Sequence, residues 1–333
     1  PLQYRGADIS SLPLEETNGI SYKDKSGTTQ PLEKILASNG VNTIRQRIWV
    51  NPEDGVYGTD YNVELAKRAN QAGLGVYLDL HFSRSWADPE EQTTPPTWST
   101  TDIDTLTWQV YNYTLDISNA FAEASVPVEM ISIGNEIRNG LLWPLGEMTN
   151  PSNIARILHS AAWGVKDSSL QTVPKIMIHL DNGWDWDAQK YFYDSILSEG
   201  SLELGDFDMM GVSFYPFYGP GATFEALGDS LGKLRAQYGK EVAVVETNWP
   251  VQCGNPEYEF PEDQQDIPFS ADGQVEYLRR LGDAVKRAEG VGLFYWEPGW
   301  VENKALGSSC EDNLLFDPGT GEVRESISVF GEI

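Results

Sequence analysis

The chain has 333 residues, 40% hydrophobic and 11% aromatic, enough to bury a large core, and α/β barrels reach this length as one unit. Its 23 Lys and Arg stand against 50 Asp and Glu, a formal charge of -27 that repels phosphate backbones and anionic membranes, so neither nucleic acid nor a lipid surface is expected as a partner. No stretch approaches the roughly 18 consecutive apolar residues of a membrane span, and the amino terminus lacks the basic and apolar regions of a signal peptide, so the sequence reads as a mature or trimmed form; a secreted monomer is expected.

Eight short apolar runs read as buried strands: Tyr4 to Ile9, Thr43 to Trp49, Gly75 to His81, Val128 to Gly134, Lys175 to Leu180, Phe207 to Tyr215, Val242 to Glu246 and Gly292 to Trp296. Between them, apolar residues at helical spacing predict helices over Pro31 to Ser38, Tyr61 to Ala72, Asp104 to Ala124, Asn153 to Lys166, Ala188 to Leu197, Phe224 to Tyr238 and Gly273 to Ala288. Pro31 suits a first helical position, and Gly40, Gly73, Gly200 and Gly239 fall where helices should stop. Repeated β-then-α units imply a parallel sheet, and eight of them predict a single (β/α)8 TIM barrel over residues 1–333 rather than an open doubly wound sheet. No nucleotide-binding glycine motif follows a strand. The long connections, Ser83 to Thr101, Arg138 to Pro151 and Pro250 to Phe269, all follow strand carboxyl ends, where barrel enzymes build their clefts. The last unit is irregular: Glu297 to Gly321 reads as loop, with an eighth helix short or absent.

Two of these strands end in a glutamate, Glu136 in Ile131-Ser-Ile-Gly-Asn-Glu136 and Glu246 in Val242-Ala-Val-Val-Glu246. Two carboxylates facing each other at the active face of a barrel are the machinery of glycoside hydrolysis, one protonated to serve the leaving oxygen and one ionised to attack or to activate water. Arg45, on the second strand, is near enough in barrel order to hold one of them ionised. Glu297 and Asp79 compete for the role. Period-two alternation sets Trp296 and Glu297 on opposite faces, so Glu297 is expected to pack or pair outside, while Asp79, deeper and on the face of His81, reads as a structural acceptor.

Trp86, Trp143, Trp184, Trp249, Trp296 and Trp300 fall at or just after strand carboxyl ends, where indole planes can pack on the C–H faces of sugars. Arg45, His81, Asn135, His179, Asp181 and Tyr215 supply polar partners for sugar hydroxyls. Trp108 and Trp163, at helical positions, are expected in the core, and His159 is expected to be structural. No His or Cys spacing suggests a metal, and no cofactor is expected. Cys253 and Cys310 lie in polar loops, as two free thiols or as a disulfide, the acidic, Trp-rich composition favouring the disulfide of an oxidising compartment. Asn112-Tyr113-Thr114 is an N-glycosylation sequon, whereas Pro151 excludes Asn150.

The motifs Arg45-Gln-Arg-Ile-Trp-Val-Asn-Pro52, Asp79-Leu-His-Phe82 with Trp86-Ala-Asp-Pro89, Ser132-Ile-Gly-Asn-Glu-Ile-Arg138, Gly140-Leu-Leu-Trp-Pro144, His179-Leu-Asp-Asn-Gly-Trp-Asp-Trp186, Gly211-Val-Ser-Phe-Tyr-Pro-Phe217, Val245-Glu-Thr-Asn-Trp-Pro250 and Tyr295-Trp-Glu-Pro298 resemble the fungal endo-β-1,4-galactanases of glycoside hydrolase family 53, from Tyr4 to Phe330. The resemblance implies a (β/α)8 barrel that cleaves pectic galactan side chains with retention, with Glu136 as acid/base and Glu246 as nucleophile. It further implies that Asn135 binds the 2-hydroxyl of the sugar being cleaved and that Trp296 forms its floor. Bacterial relatives hold calcium after strand seven. Here Cys253 and Cys310 occupy that part and resemble the fungal disulfide. Another endoglycanase of the same clan, a mannanase or cellulase, and a non-catalytic sugar-binding barrel are the alternatives, the second disfavoured because both glutamates are present.

Overall fold

The computed structural model describes residues 1–301, 303, 308, 310 and 312–333. Eight parallel strands close a barrel in chain order: β1 (Tyr4–Asp8), β2 (Thr43–Ile48), β3 (Gly75–Leu80), β4 (Met130–Ile133), β5 (Lys175–Leu180), β6 (Met209–Ser213), β7 (Glu241–Glu246) and β8 (Gly292–Tyr295), which returns to β1. Seven helices lie between successive strands as expected: α2 (Leu32–Ser38), α3 (Thr59–Gln71), α4 (Ile103–Glu123), α5 (Pro151–Lys166), α6 (Trp186–Leu197), α7 (Phe224–Tyr238) and α8 (Ala271–Arg287), while α1 (Leu12–Thr17) is an extra short helix directly after β1. Local chemistry sets their starts. Asp102, Asn150, Asp185, Thr223 and Ser270 each cap a helix by accepting a backbone N–H three residues on.

Alternation divides the apolar side chains into two cores. Tyr4, Tyr77, Met130, Met177, Met209, Ala243, Val245 and Phe294 fill the barrel interior, and the opposite faces of the strands pack on the helices. Gly6 is required on β1, because a Cβ there would stand 2.0 Å from the Phe294 ring. Above this apolar plug the inward positions turn polar: Asp8, Arg45, Arg47, Asp79, His179 and Ser213 are all buried. The fold thus carries its unsatisfied chemistry at the carboxyl end of the strands, on a base too well packed to yield.

The structure corrects some of these expectations and agrees with others. Alternation also leaves out a two-stranded ribbon, Tyr22–Lys23 with Thr29–Gln30, too short to show any periodicity. As expected for an eighth helix short or absent, no α-helix follows β8 among the described residues; a 3-10 helix, Glu325–Gly331, packs against α8 in its place. Trp108 and Trp163 are not core: they are 66% and 42% exposed and, with Tyr111 and His159, line a surface groove of about 630 Å³ between α4 and α5. Tertiary packing of these helices uses their small residues instead, with Gly164 leaving no room for a Cβ beside Tyr111 and Thr114. Asn112 is exposed in mid-helix on α4, while the sequon's Thr114 is buried and donates its hydroxyl to the Val110 carbonyl. His159 sits at the surface with its ring bonded to Asp206. Cys253 and Cys310 form a disulfide across a separation of 57 residues, tying the loop after β7 to the carboxyl-terminal segment.

Candidate active site

Glu136 and Glu246 reach the same space by different backbone devices. On β4 the inward parity of Met130 and Ser132 continues to Gly134 and Glu136, and Glu136 itself adopts a left-handed conformation with φ 50°. A non-glycine residue is uncommon in that conformation, and such backbone strain clusters at working sites. On β7 parity alone would turn Glu246 outward, because Ala243 and Val245 already face the interior. The register slips between β6 and β7, pairing Val212 with Val244 but Ser213 with Glu246. This bulge supplies one extra residue and re-aims Glu246 into the mouth, while Thr247 turns outward to Tyr277 on α8.

Arg45 is the hub beneath them. Its Nη1 donates to Asp8 at 2.9 Å, and its Nη2 donates to Asp79 at 3.0 Å, Asn135 Oδ1 at 2.9 Å and Glu246 Oε1 at 2.8 Å. Tyr215 donates its hydroxyl to the other oxygen of Glu246 at 2.8 Å. Burial raises the Glu246 pKa above its ordinary value, a rise that Arg45 and the Tyr215 bond reduce without cancelling. Among the described residues no guanidinium is bonded to Glu136. Burial, then the charges of Glu246 and Asp181, drive its pKa well above the usual carboxylate range, opposed by a hydrogen bond with Ser213.

The neighbouring polar groups form one consistent network. Asn135 Nδ2 donates to the Ala87 carbonyl, so its Oδ1 accepts from Arg45 and from His179 Nδ1 at 3.1 Å. His179 Nε2 then accepts from the Ser213 hydroxyl at 2.8 Å, and burial with Arg45 nearby lowers the His179 pKa to about 3, so the ring is neutral. Asn135 keeps one N–H for a ligand.

The sequence-expected residues divide cleanly. Arg45, Asn135, His179 and Tyr215 converge on the two glutamates. Asp181 lies close by, with both carboxylate oxygens tied to Arg138 at 2.8 and 3.0 Å. His81 does not offer a ring nitrogen to a sugar: Nε2 bonds Asp79 at 3.0 Å and Nδ1 accepts from the Ala87 backbone at 3.1 Å, which makes it a brace for Asp79 and the Trp86 loop. Trp249 is fully buried, stacked on Tyr277 with centroids 4.8 Å apart and donating its indole N–H to Pro268, so it has no face for a ligand. Trp143 is half-buried, its N–H bonded to Asn139. Trp86, Trp296 and Trp300 cluster at the mouth with centroids 6.0 to 6.3 Å apart. Glu297 pairs as expected, but with Arg47 at the mouth rather than outside, because β8 ends at Tyr295 and a left-handed Glu297, φ 45°, breaks the alternation. Asp8, Ser213, Arg138 and Arg47 were missed. Asp8 and Arg47 could have been found, since a charged residue at an inward position of a buried strand must have a partner.

One oxygen each of Glu136 and Glu246 and a ring nitrogen of His179 lie within 4.8 Å of one another, a spacing that could hold a cation. The donor set does not call for one, because both His179 nitrogens are committed and Arg45 already sets a positive charge on Glu246.

The pattern that defines glycosyl hydrolase family 53 matches residues 4–330. The chain belongs to that family. It is 65% identical to arabinogalactan endo-β-1,4-galactanase A of Emericella nidulans over 332 residues, which covers 100% of this chain and 95% of that protein. A solved fungal β-1,4-galactanase superposes with a TM-score of 0.97 at 56% identity, covering 100% of both chains. The family 53 catalytic domain of Ignisphaera aggregans superposes at 0.86 with 30% identity, covering 99% of this chain and 96% of that one. The family 53 chain is therefore a glycoside hydrolase on a (β/α)8 barrel.

Proposed function

We propose that this glycoside hydrolase cleaves β-1,4-galactosidic bonds within pectic (arabino)galactan, by double displacement with retention, and that residues 1–333 act as one secreted, monomeric catalytic unit. The substrate follows the names of its relatives, and the disulfide suits an oxidising compartment. The observation that carries the mechanism is the asymmetry of the two glutamates. One oxygen of each lies within 4.8 Å of the other, which supports the short carboxyl spacing of a retaining enzyme over the about 6.5–9.5 Å of an inverting one, and of the two only Glu246 is bonded to Arg45.

Glu246, held ionised by Arg45 and Tyr215, attacks the anomeric carbon as Glu136 gives its proton to the departing glycosidic oxygen. A covalent galactosyl ester on Glu246 results. Glu136, now a carboxylate, takes a proton from water, which displaces Glu246 from the same anomeric carbon and restores the original configuration. Asn135 orients both partners, since its Oδ1 is fixed by Arg45 and His179 and its free N–H faces the site. The indoles of Trp86, Trp296 and Trp300 provide the wall for neighbouring sugars.

Hydrolysis of unbranched β-1,4-galactan, mannan and cellulose in parallel tests the substrate. Viscosity of the galactan should fall well before reducing ends accumulate, with little action on the other two. Release of galactose alone from chain ends, or faster cleavage of mannan or cellulose, would refute it. The roles are tested by Glu136→Ala, which should keep some turnover of an aryl galactoside with a good leaving group and yield galactosyl azide on addition of azide. Glu246→Ala should lose both substrates.

A further inference from the structure

The geometry points to Arg47 as a positioning residue that, locked by Glu297, holds Trp86, Trp296 and Trp300 together as one sugar-binding wall. This rests on the reading of those indoles as the substrate platform. Arg47 is two residues beyond Arg45 on β2 and shares its inward face, one layer nearer the mouth, yet it has no contact with either catalytic glutamate among the described residues. Its guanidinium lies 4.2 Å from the Tyr57 ring centroid, 4.5 Å from Trp86, 5.2 Å from Trp300 and 5.9 Å from Trp296.

The three indoles come from two different loops, after β3 and after β8, and the cation is their common contact. Trp86 and Trp300 lie nearly parallel, 15° apart with centroids separated by 6.1 Å, and both remain half-exposed. Loop tryptophans with a free face would otherwise be able to swing. Desolvated cation–π contacts to the Arg47 guanidinium can hold them.

The cation itself is fixed with unusual care. Nη1 donates to Glu297 at 2.7 Å and Nη2 to the Ser11 hydroxyl at 2.8 Å, while Ser11 donates both its backbone N–H and its hydroxyl to the same Glu297 oxygen at 3.0 and 2.9 Å. Glu297 reaches this position only through its left-handed backbone. Burying an ion pair is weak evidence for stability, since apolar residues of similar size serve a core equally well. A buried pair capped by indoles, two of which, Trp86 and Trp300, keep an exposed face, is better explained by what it does to those faces.

The test is a double-mutant cycle on galactan hydrolysis. Arg47→Met should raise KM about tenfold with kcat changed less than about threefold, the signature of lost binding away from the reacting bond. In a Trp86→Ala background the same substitution should add less than about threefold, because its effect runs through the wall. Full additivity, or a fall in kcat at unchanged KM, would overturn the proposal. Should Arg47→Met fold poorly with Glu297 left buried alone, Arg47→Met with Glu297→Leu removes both charges and carries the same expectation. A readout without substrate separates this inference from the substrate assignment: the near-UV circular dichroism of the indole cluster should collapse in either variant while far-UV ellipticity stays. An unchanged near-UV band overturns the proposal even if the protein degrades galactan as expected. A wild-type protein inert on galactan refutes the substrate and leaves the spectrum to decide the role of Arg47.

Discussion

Replacing Arg45 by methionine removes one cation from three buried carboxylates, Asp8, Asp79 and Glu246, and from the Asn135 carbonyl. Breaking a buried pair by deleting one partner costs about 3–5 kcal/mol, because the other charge is left without compensation. With an unfolding entropy of roughly 2.1 cal/mol/K per residue, a chain of this length should lose about 4–7 °C in Tm. The functional effect has a separate signature. Burial already raises the Glu246 pKa and Arg45 is the main influence lowering it, so its removal sends that pKa further up. The acid limb of kcat/KM, which reports ionisation of the nucleophile, should therefore move to higher pH, with kcat down roughly a hundredfold or more at the original optimum. Arg45→Lys should recover part of the pH shift, because the charge returns, but not the full rate, because the fork to Asn135 and Glu246 does not. Pre-steady-state and steady-state rates across pH, beside thermal scans, check this. An acid limb that stays in place after Arg45→Met would refute the claim that Arg45 keeps Glu246 ionised.

Glu136→Gln should raise Tm at neutral pH: the folded pKa of Glu136 lies well above its unfolded value, so its stabilising contribution is complete below about pH 4.5 and is lost as pH rises, and the gain from the amide should vanish in acid. Reducing the Cys253–Cys310 disulfide, which closes a separation of 57 residues, should cost up to about 4 kcal/mol in thermal scans while leaving kcat at 25 °C nearly unchanged. Trp249→Ala should destabilise by about 3–5 kcal/mol, as befits a fully buried indole, with KM unaffected in the folded fraction, whereas a selective rise in KM would return Trp249 to the substrate site.

The barrel was legible because a sheet buried on both faces writes itself as near-continuous apolar runs, and Glu136 was legible because it keeps the parity of its strand. Glu246 was identified at a strand end, but its direction was not readable: the bulge opposite Ser213 is a property of the pairing with β6, not of the β7 sequence. Glu297 misled for the same reason, since alternation stops once the backbone turns left-handed. The indoles were the least legible. Trp249 follows a strand end yet is swallowed by Tyr277 and Phe260, and Trp108 and Trp163 sit at helical apolar positions yet face solvent, because α4 and α5 pack through closer, smaller residues. The two-stranded ribbon and α1 are too short for any periodic signal. Arg47 lay two residues from Arg45 on the same face, and its parity alone announced a second buried cation in need of a partner.

The central claim is that Glu246 forms the bond to the sugar. Its most direct test is to trap the enzyme with a 2-deoxy-2-fluoro galactoside bearing an activated leaving group, digest it and locate the added mass by tandem mass spectrometry. A stoichiometric adduct is expected on the peptide containing Glu246, absent in Glu246→Ala. An adduct on Glu136, or on Glu297 at the mouth, would contradict it.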